Sequence, residues 1–161
     1  MKAIKTADLV DGHDALVRFC HVQFQQFGRR RAFSGPISTV RTFEDNARLR
    51  AQLETPGQGR VLVVDGGGST RCAVVGDVIA GLAMDNGWAG VVINGAIRDS
   101  AEIDAMDIGV FALGRSPKKS RKEGIGAVDE TVSFGGVAFV PGQFVYCDAD
   151  GVLVADEALT P

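Results

Sequence analysis

The residues whose types and spacing could do chemistry are Asp77 and the adjacent pair Arg98-Asp99. Each stands in a loop that leaves the carboxyl end of an apolar strand: 65–77 follows the strand 60–65, and 95–99 follows the strand 89–94. In parallel sheets, ligands lie in the crevice beyond such ends. The first loop runs into a helix start. The free N–H groups of Gly76, Asp77, Val78 and Ile79 would point into the crevice and favour a carboxylate or phosphate. The second loop presents Arg98 beside Asp99. Carboxylate oxygens suit Mg²⁺ or Mn²⁺, which keep several waters and use one or two protein carboxylates. A guanidinium beside such an ion would hold an anionic, oxygen-rich substrate such as a 2-oxo acid. The same residues also have a structural reading. Asp77 can cap the helix it starts, and Asp99 with Glu102 reads as a capping box.

Other chemistries match less well. Gly66 and Gly68 begin a G-x-G, but position 71 is Arg, so the dinucleotide fingerprint fails at its third glycine. A G-x-x-x-x-G-K loop is absent. Ser69 and Thr70 sit in a suitable loop for a nucleophile, yet the two histidines, His13 and His21, lie far upstream without a paired motif. They read as surface or packing residues. Cys20, Cys72 and Cys147 have no zinc spacing. Apolar neighbours make them buried, reduced thiols, which suits the cytoplasm.

The elements that must position these residues follow from periodicity and punctuation. Of 161 residues, 21 are glycine, nearly twice the usual ~7%. They cluster between apolar runs, as tight loops around short strands do. Thr6 can cap a short helix near 8–11. Strands are predicted over 22–27 and 37–42. A helix follows residues 43–46, with Ala47, Leu49 and Leu53 at helical spacing, and ends at Pro56-Gly57. The continuous apolar run 60–65 reads as a central strand covered on both faces. A helix over 77–86 carries Val78, Ile79, Leu82 and Ala83 as its buried stripe. Strand 89–94, a loop at 95–99, a short helix near 101–106 and strand 109–113 complete a β-α-β-α-β series, the pattern of parallel strands with crossover helices. Beyond Gly124, short strands at 128–134, 137–140, 144–147 and 152–155 alternate with turns at Gly135-Gly136, Pro141-Gly142 and Asp150-Gly151. That half reads as antiparallel. The expectation is one α/β domain over 1–161, a parallel core with a β-rich antiparallel flank.

Charge and hydropathy exclude several classes. The net charge of −3, from 17 basic and 20 acidic residues, gives no general support to nucleic-acid binding. Two local basic clusters stand out: Arg29-Arg30-Arg31, and Arg115 with Lys118, Lys119, Arg121 and Lys122. Each reads as a solvated loop or as a site for an anion or acidic partner. The first residues, Met1-Lys2-Ala3-Ile4-Lys5-Thr6, lead to Asp8 and Asp11 rather than to an apolar signal core. The uncharged stretch 131–147 is broken by Gly135, Gly136, Pro141 and Gly142, so alternating strands fit it better than a spanning helix, and no membrane role is expected.

Taken together, Val64-Asp65-Gly66-Gly67-Gly68-Ser69, Gly76-Asp77, Asn86-Gly87-Trp88-Ala89-Gly90 and Arg98-Asp99 resemble the RraA-like / class II 4-hydroxy-4-methyl-2-oxoglutarate aldolase family. The likeness extends from Phe27-Gly28 and Phe43-Glu44-Asp45-Asn46 to Phe134-Gly135-Gly136-Val137 and Asp150-Gly151, nearly the whole chain. Its most specific element is Asp77, twenty intervening residues, then Arg98-Asp99, the pattern of members with aldolase activity. The resemblance implies a swivelling β/β/α-like fold and a metal-dependent lyase that releases pyruvate, with oxaloacetate decarboxylation as a second activity. Asp99 would bind Mg²⁺ or Mn²⁺. Arg98 would bind the substrate carboxylate and keto oxygen. The amides of Gly76, Asp77, Val78 and Ile79 would hold the pyruvyl carboxylate, and Asp77 would orient a metal-bound water for proton transfer. Longer members supply a glutamate from a C-terminal extension to a neighbouring subunit, and no residue here matches it. A lysine among Lys118, Lys119 and Lys122 is a further candidate near the substrate. The family also implies a homotrimer or hexamer with the site near a subunit interface. Two other readings attach to it: a non-enzymatic regulator that binds ribonuclease E, and a menaquinone-pathway methyltransferase.

Overall fold

Val61, Leu62, Val63 and Val64 are all completely buried. Val61 and Val63 pack in one apolar cluster with Val92, Phe111 and Val145. Leu62 and Val64 pack in another with Leu49, Ile79 and Ile103. Alternate side chains of a strand point to opposite faces, so a strand apolar at every position needs cover on both. The computed structural model describes residues 4–160. The readings at Met1, Lys2, Ala3 and Pro161 lie outside the described residues.

This central strand is β4 (Val61–Asp65). It pairs in parallel with β3 (Phe33–Arg41) on one side and β6 (Gly90–Ile97) on the other. In turn, β6 pairs in parallel with β7 (Val110–Arg115). Three helices occupy the connections: α2 (Ala47–Leu53), α3 (Asp77–Asp85) and α4 (Ser100–Asp104). Their buried residues, Leu49 and Leu53, Ile79, Ala80 and Ala83, and Ile103, all join the cluster of Leu62 and Val64. The helices therefore cover one face of the parallel sheet.

The antiparallel half covers the other. Its strands are β1 (Val17–Phe19), β11 (Phe144–Asp148) and β12 (Gly151–Ala155), in the order β1-β12-β11-β3. The nine-residue β3 belongs to both halves. Residues Phe33 to Pro36 pair with β11, and Ile37 to Arg41 pair with β4. Gly35 lies at the passage, where any Cβ would collide with the Gly59 carbonyl oxygen. A hairpin of β9 (Val132–Phe134) and β10 (Val137–Phe139) adds Val132, Val137 and Phe139 to the second cluster. Its turn residues Gly135 and Gly136 have φ of 61° and 83°, the two positive values a type I′ turn requires. The result is a single-domain mixed α/β fold with one mixed sheet.

Several boundaries differ from the sequence reading. The strand expected over 22–27 is only β2 (Gln25–Phe27), at the sheet edge beside β7. Residues 95–97, read as loop, continue β6 to Ile97. Gly95 and Ala96 are buried there, and small residues gave no apolar signal. The strands β1 and β5 (Ala73–Val75) are too short to show a period. The run 128–134 divides into β8 (Ala127–Val128) and β9, interrupted where Asp129 turns to φ 55°. In α3, Val78 is 62% exposed and Ala80 takes its place in the core. Thr6 does not cap α1 (Thr6–His13), whose N-cap is Lys5. Its amide and hydroxyl instead both donate to the Asp148 carboxylate at 2.7 Å. Among the described residues, no helix is long and apolar enough to cross a membrane.

One buried charge ties the layers. Asp45 is fully buried. It accepts hydrogen bonds from the amides of Ala47 at 3.0 Å, Glu123 at 2.6 Å and Gly124 at 3.1 Å. Burial alone would raise its pKa, but the three amide donors outweigh that and hold the carboxyl below the ordinary aspartate range. A depressed pKa contributes stability above the unfolded value, near ~3.9, and loses it as pH falls through the folded value. Asp45→Asn is therefore expected to destabilise the fold by about 1–3 kcal/mol at neutral pH. Thermal melts should show the gap constant above about pH 5 and shrinking below about pH 4.

Candidate active site

The parallel register of β5 and β6 pairs Ala73 with Ala96 and Val75 with Ile97. The chain therefore leaves both strands side by side, at Gly76 and Arg98. The Arg98 amide donates to the Val75 carbonyl at 2.9 Å. Asp99 then adopts φ 55° and ψ 42°, a left-handed conformation that Asp tolerates better than most residues. That turn swings its carboxylate back onto the start of α3, where Oδ2 accepts the Asp77 amide at 3.0 Å. Gly76 is extended, with φ −117°, so no torsion demands glycine there. Space does: a Cβ at Gly76 would lie 2.8 Å from Asp99 Oδ2.

Gly76, Asp77, Arg98 and Asp99 are thus brought together, all of intermediate exposure. Among the described residues, the Arg98 guanidinium has no ion-pair partner within salt-bridge distance. Among them too, neither the Asp77 carboxylate nor Asp99 Oδ1 accepts a hydrogen bond from the protein. Both capping expectations need correction. Asp77 is the first residue of α3, with Gly76 at the N-cap position. Asp99 makes no side-chain cap to α4, so the box with Glu102 does not form. Its carboxylate serves α3 instead, across 22 residues of sequence. This also changes the anion-site expectation. The Asp77 amide is occupied by Asp99, and Ala80 bonds to the Gly76 carbonyl. Among the described residues, the amides of Gly76, Val78 and Ile79 are left at the helix start without a protein acceptor. The Ile79 side chain points into the core.

Two of the three glycines of the preceding loop pack on the protein itself, whereas a Cβ at Gly68, whose φ is 77°, would meet open space. A Cβ at Gly66 would lie 2.8 Å from the Asn94 carbonyl oxygen, and one at Gly67 would lie 2.7 Å from the Phe43 ring. Asp65 Oδ1 accepts from the Gly67 amide at 3.0 Å and from Asn94 Nδ2 at 3.1 Å, which fixes the loop on β6. Glu44 closes its other end. It accepts from Arg71 Nε at 2.7 Å, Arg71 Nη2 at 2.8 Å and Ser69 Oγ at 2.6 Å. The Arg71 hydrogen bonds, then that from Ser69, lower the Glu44 pKa. No sequence signal links Glu44 to Arg71, because the pair is 27 residues apart and across two elements. Ser69 is engaged there with a carboxylate, and neither histidine serves it. His13 pairs with the Thr160 carbonyl, and His21 packs edge-on against Phe19.

Of the basic clusters, the first is partly consumed by ion pairs: Arg30 with Asp107 at 3.0 Å and Arg31 with Asp104 at 3.6 Å. From the second, Lys118, Lys119 and Arg121 line a separate cleft with Arg71 and Glu44. All three cysteines are free and buried.

The donor set at Asp99 fits a hard divalent cation that keeps most of its water. Among the described residues one carboxylate oxygen, Oδ1, is unengaged, while Oδ2 holds the Asp77 amide. Among the described residues, no group of three or more His, Cys, Asp or Glu side chains gathers, so a cage of several protein ligands is not what these residues offer. The capping bond is directly testable. Asp99→Ala and Gly76→Ala should each speed hydrogen exchange at the Asp77 amide. Loss of the cap should also cost about 1 kcal/mol in denaturant melts. An unchanged Asp77 exchange rate in Asp99→Ala would refute the bond.

Known proteins share this course of the chain. The RraA-like family profile (Aldolase/RraA) matches residues 6–154. A protein of Aromatoleum aromaticum, provisionally named 4-hydroxy-4-methyl-2-oxoglutarate aldolase, is 54% identical over 155 residues, covering 96% of this chain and 98% of its own. Among solved structures, one named S-adenosylmethionine: 2-dimethylmenaquinone methyltransferase, from Geobacillus kaustophilus, superposes with a TM-score of 0.95 at 55% identity over 97% of each chain. The RNA-processing inhibitor RraA of Thermus thermophilus does so with a TM-score of 0.94 at 45% identity, over 99% of this chain and 96% of its own. With the family match spanning most of its length on the same mixed-sheet fold, the chain belongs to the RraA-like family.

Proposed function

We propose that the protein is a divalent-metal-dependent carbon–carbon lyase. It cleaves 4-hydroxy-4-methyl-2-oxoglutarate to pyruvate and decarboxylates oxaloacetate as a second activity. The observation that carries this reading is the meeting of Arg98-Asp99 with the start of α3, fixed by the 3.0 Å bond from the Asp77 amide to Asp99. The aldolase name of the Aromatoleum aromaticum relative supports it.

The chain's residues divide the work by charge. The free amides of Gly76, Val78 and Ile79, at the positive end of a nine-residue helix, receive the pyruvyl carboxylate. The Arg98 guanidinium binds that carboxylate and the keto oxygen. Asp99 holds Mg²⁺ or Mn²⁺, which when bound supplies Lewis-acid stabilisation of negative charge on oxygen. Asp77 positions a water that takes and returns the proton. In aldol cleavage the C4 hydroxyl loses its proton and the C3–C4 bond breaks. C4 becomes the keto carbon of one pyruvate, and the bonding pair becomes the enolate of the other, which is then protonated at C3. Oxaloacetate loses CO₂ and leaves its electron pair on the same carbon. Arg98 stabilises the enolate in both cases, and this strengthens as charge develops.

The assembly we propose is a homotrimer, with a hexamer as its higher form. Val78, 62% exposed beside Asp77, supports a neighbouring subunit over the site. Three reduced cysteines support the cytoplasm. Likeness to RraA of Thermus thermophilus supports a second reading, a regulator that binds and inhibits ribonuclease E. A pull-down at micromolar protein tests it, and absence of binding removes it. The methyltransferase name of the Geobacillus kaustophilus relative makes S-adenosylmethionine a control ligand, for which calorimetry should show no binding.

Pyruvate release from oxaloacetate and from 4-hydroxy-4-methyl-2-oxoglutarate should require Mg²⁺ or Mn²⁺ and stop with EDTA. Asp99→Ala should abolish metal-dependent turnover. Arg98→Ala should lower kcat by about 10²–10³, as for loss of one oxyanion donor. Wild-type activity in either variant would sink the assignment.

A further inference from the structure

The second basic cluster is left over by the site above. Lys118, Lys119 and Arg121 line a cleft of about 480 Å³ with Arg71, Glu44 and Ser120. Backbone bonds hold the segment that carries them on two sides. The Ala73 amide donates to the Lys118 carbonyl at 2.7 Å, and the Ser120 amide donates to the Ala73 carbonyl at 3.2 Å. The Arg121 amide donates to the Glu44 carbonyl at 3.0 Å, and the Asn46 amide donates to the Arg121 carbonyl at 3.0 Å. Just beyond, the buried Asp45 carboxylate takes the amides of Glu123 and Gly124. The cations are therefore presented by a fixed strip of chain rather than by a loose loop.

Their charge is only partly compensated. Among the described residues Glu44 is the one carboxylate lining the cleft, and its two oxygens are engaged by Arg71 and Ser69. Among the described residues, Lys118 and Lys119 have no carboxylate within ion-pair distance. Arg121 reaches only Glu123, at 3.8 Å. By contrast, Arg18, Arg30, Arg31, Arg41 and Arg50 all have closer partners. Four cations against one carboxylate give the lining a charge of +3, in a chain whose net charge is −3. Gathering like charges on a fixed backbone is unfavourable unless an anion neutralises them.

We infer that this cleft binds a small polyanion carrying two or more phosphate groups. Its volume falls within the ~300–1,000 Å³ of small-ligand sites and exceeds what a single tetrahedral ion needs. Lysines serve phosphate as point charges, and Arg121 adds a planar donor fork. The cleft is distinct from the Asp77–Arg98–Asp99 site. Cys72, in its wall, precedes β5, and Gly76 follows that three-residue strand, which separates them by about 13 Å of extended chain. The inference stands apart from the lyase reading, since binding is measured without turnover.

The test is calorimetry on the full chain with tripolyphosphate, pyrophosphate, citrate and sulfate, at about 0.05 and 0.2 M salt. Tripolyphosphate should bind one to one and weaken several-fold at the higher salt. Lys118→Gln/Lys119→Gln, two exposed positions, should lose at least tenfold in affinity with an unchanged melting temperature. Arg29→Gln, in the other basic cluster, should leave binding intact. Absence of binding at about 1 mM tripolyphosphate, or equal binding by the double variant, overturns the site. Citrate binding as tightly as tripolyphosphate overturns the phosphate assignment.

Discussion

A parallel sheet exposes apolar side chains on both faces and is stable only when both are covered. In this protein that constraint falls on β3, β4, β6 and β7, and most of the architecture answers it. Leu62, Val64, Val91, Ile93, Val110 and Ala112 face the helices. Val61, Val63, Val92 and Phe111 face the antiparallel strands and the hairpin. The helices come as crossovers, since parallel neighbours cannot be joined by tight turns. The second cover is made by the same chain in another register, with β3 passing from one half to the other. Gly35 makes room for that passage.

Because the core strands are parallel, their carboxyl ends gather at one edge, and the candidate chemistry gathers with them. The arrangement there depends on a small set of local choices. Asp99 accepts a left-handed backbone, which aims its carboxylate at α3. Gly76 leaves the volume that carboxylate fills. Arg98 follows the pairing of β5 with β6. Asp99 satisfies a helix-start amide with one oxygen and, among the described residues, leaves the other unengaged. A capping function and a functional carboxylate are compatible here, because a carboxylate has more acceptor capacity than one amide uses.

Charge organises the remaining loops. Asp45 is buried with three amide donors, which lets a carboxylate stay ionised away from water. Glu44, its neighbour, binds Arg71 through both oxygens and secures the glycine loop. These two adjacent acids hold the segments on either side of the basic cleft. The strip that carries Lys118, Lys119 and Arg121 is held by the backbone of Ala73 and by the Glu44 carbonyl, and the Asp45 carboxylate anchors the residues just beyond it.

The sequence by itself determined the layered α/β class, the central strand, the three crossover helices and the identity of Asp77, Arg98 and Asp99 as a group. Those features are written in local patterns: a continuous apolar run, helical spacing of Leu49 and Leu53, and loops at strand ends. Tertiary structure alone decided which amide Asp99 would cap, that Gly66 and Gly67 would pack on Asn94 and Phe43 rather than open toward a ligand, that Val78 would face outward, and that Glu44 would pair with Arg71. It also decided that 95–97 would extend a strand. The physical reason is range. Periodicity and turn chemistry are properties of neighbouring residues, whereas a hydrogen bond across 22 residues or an ion pair across 27 exists only after the sheet register has brought its partners together.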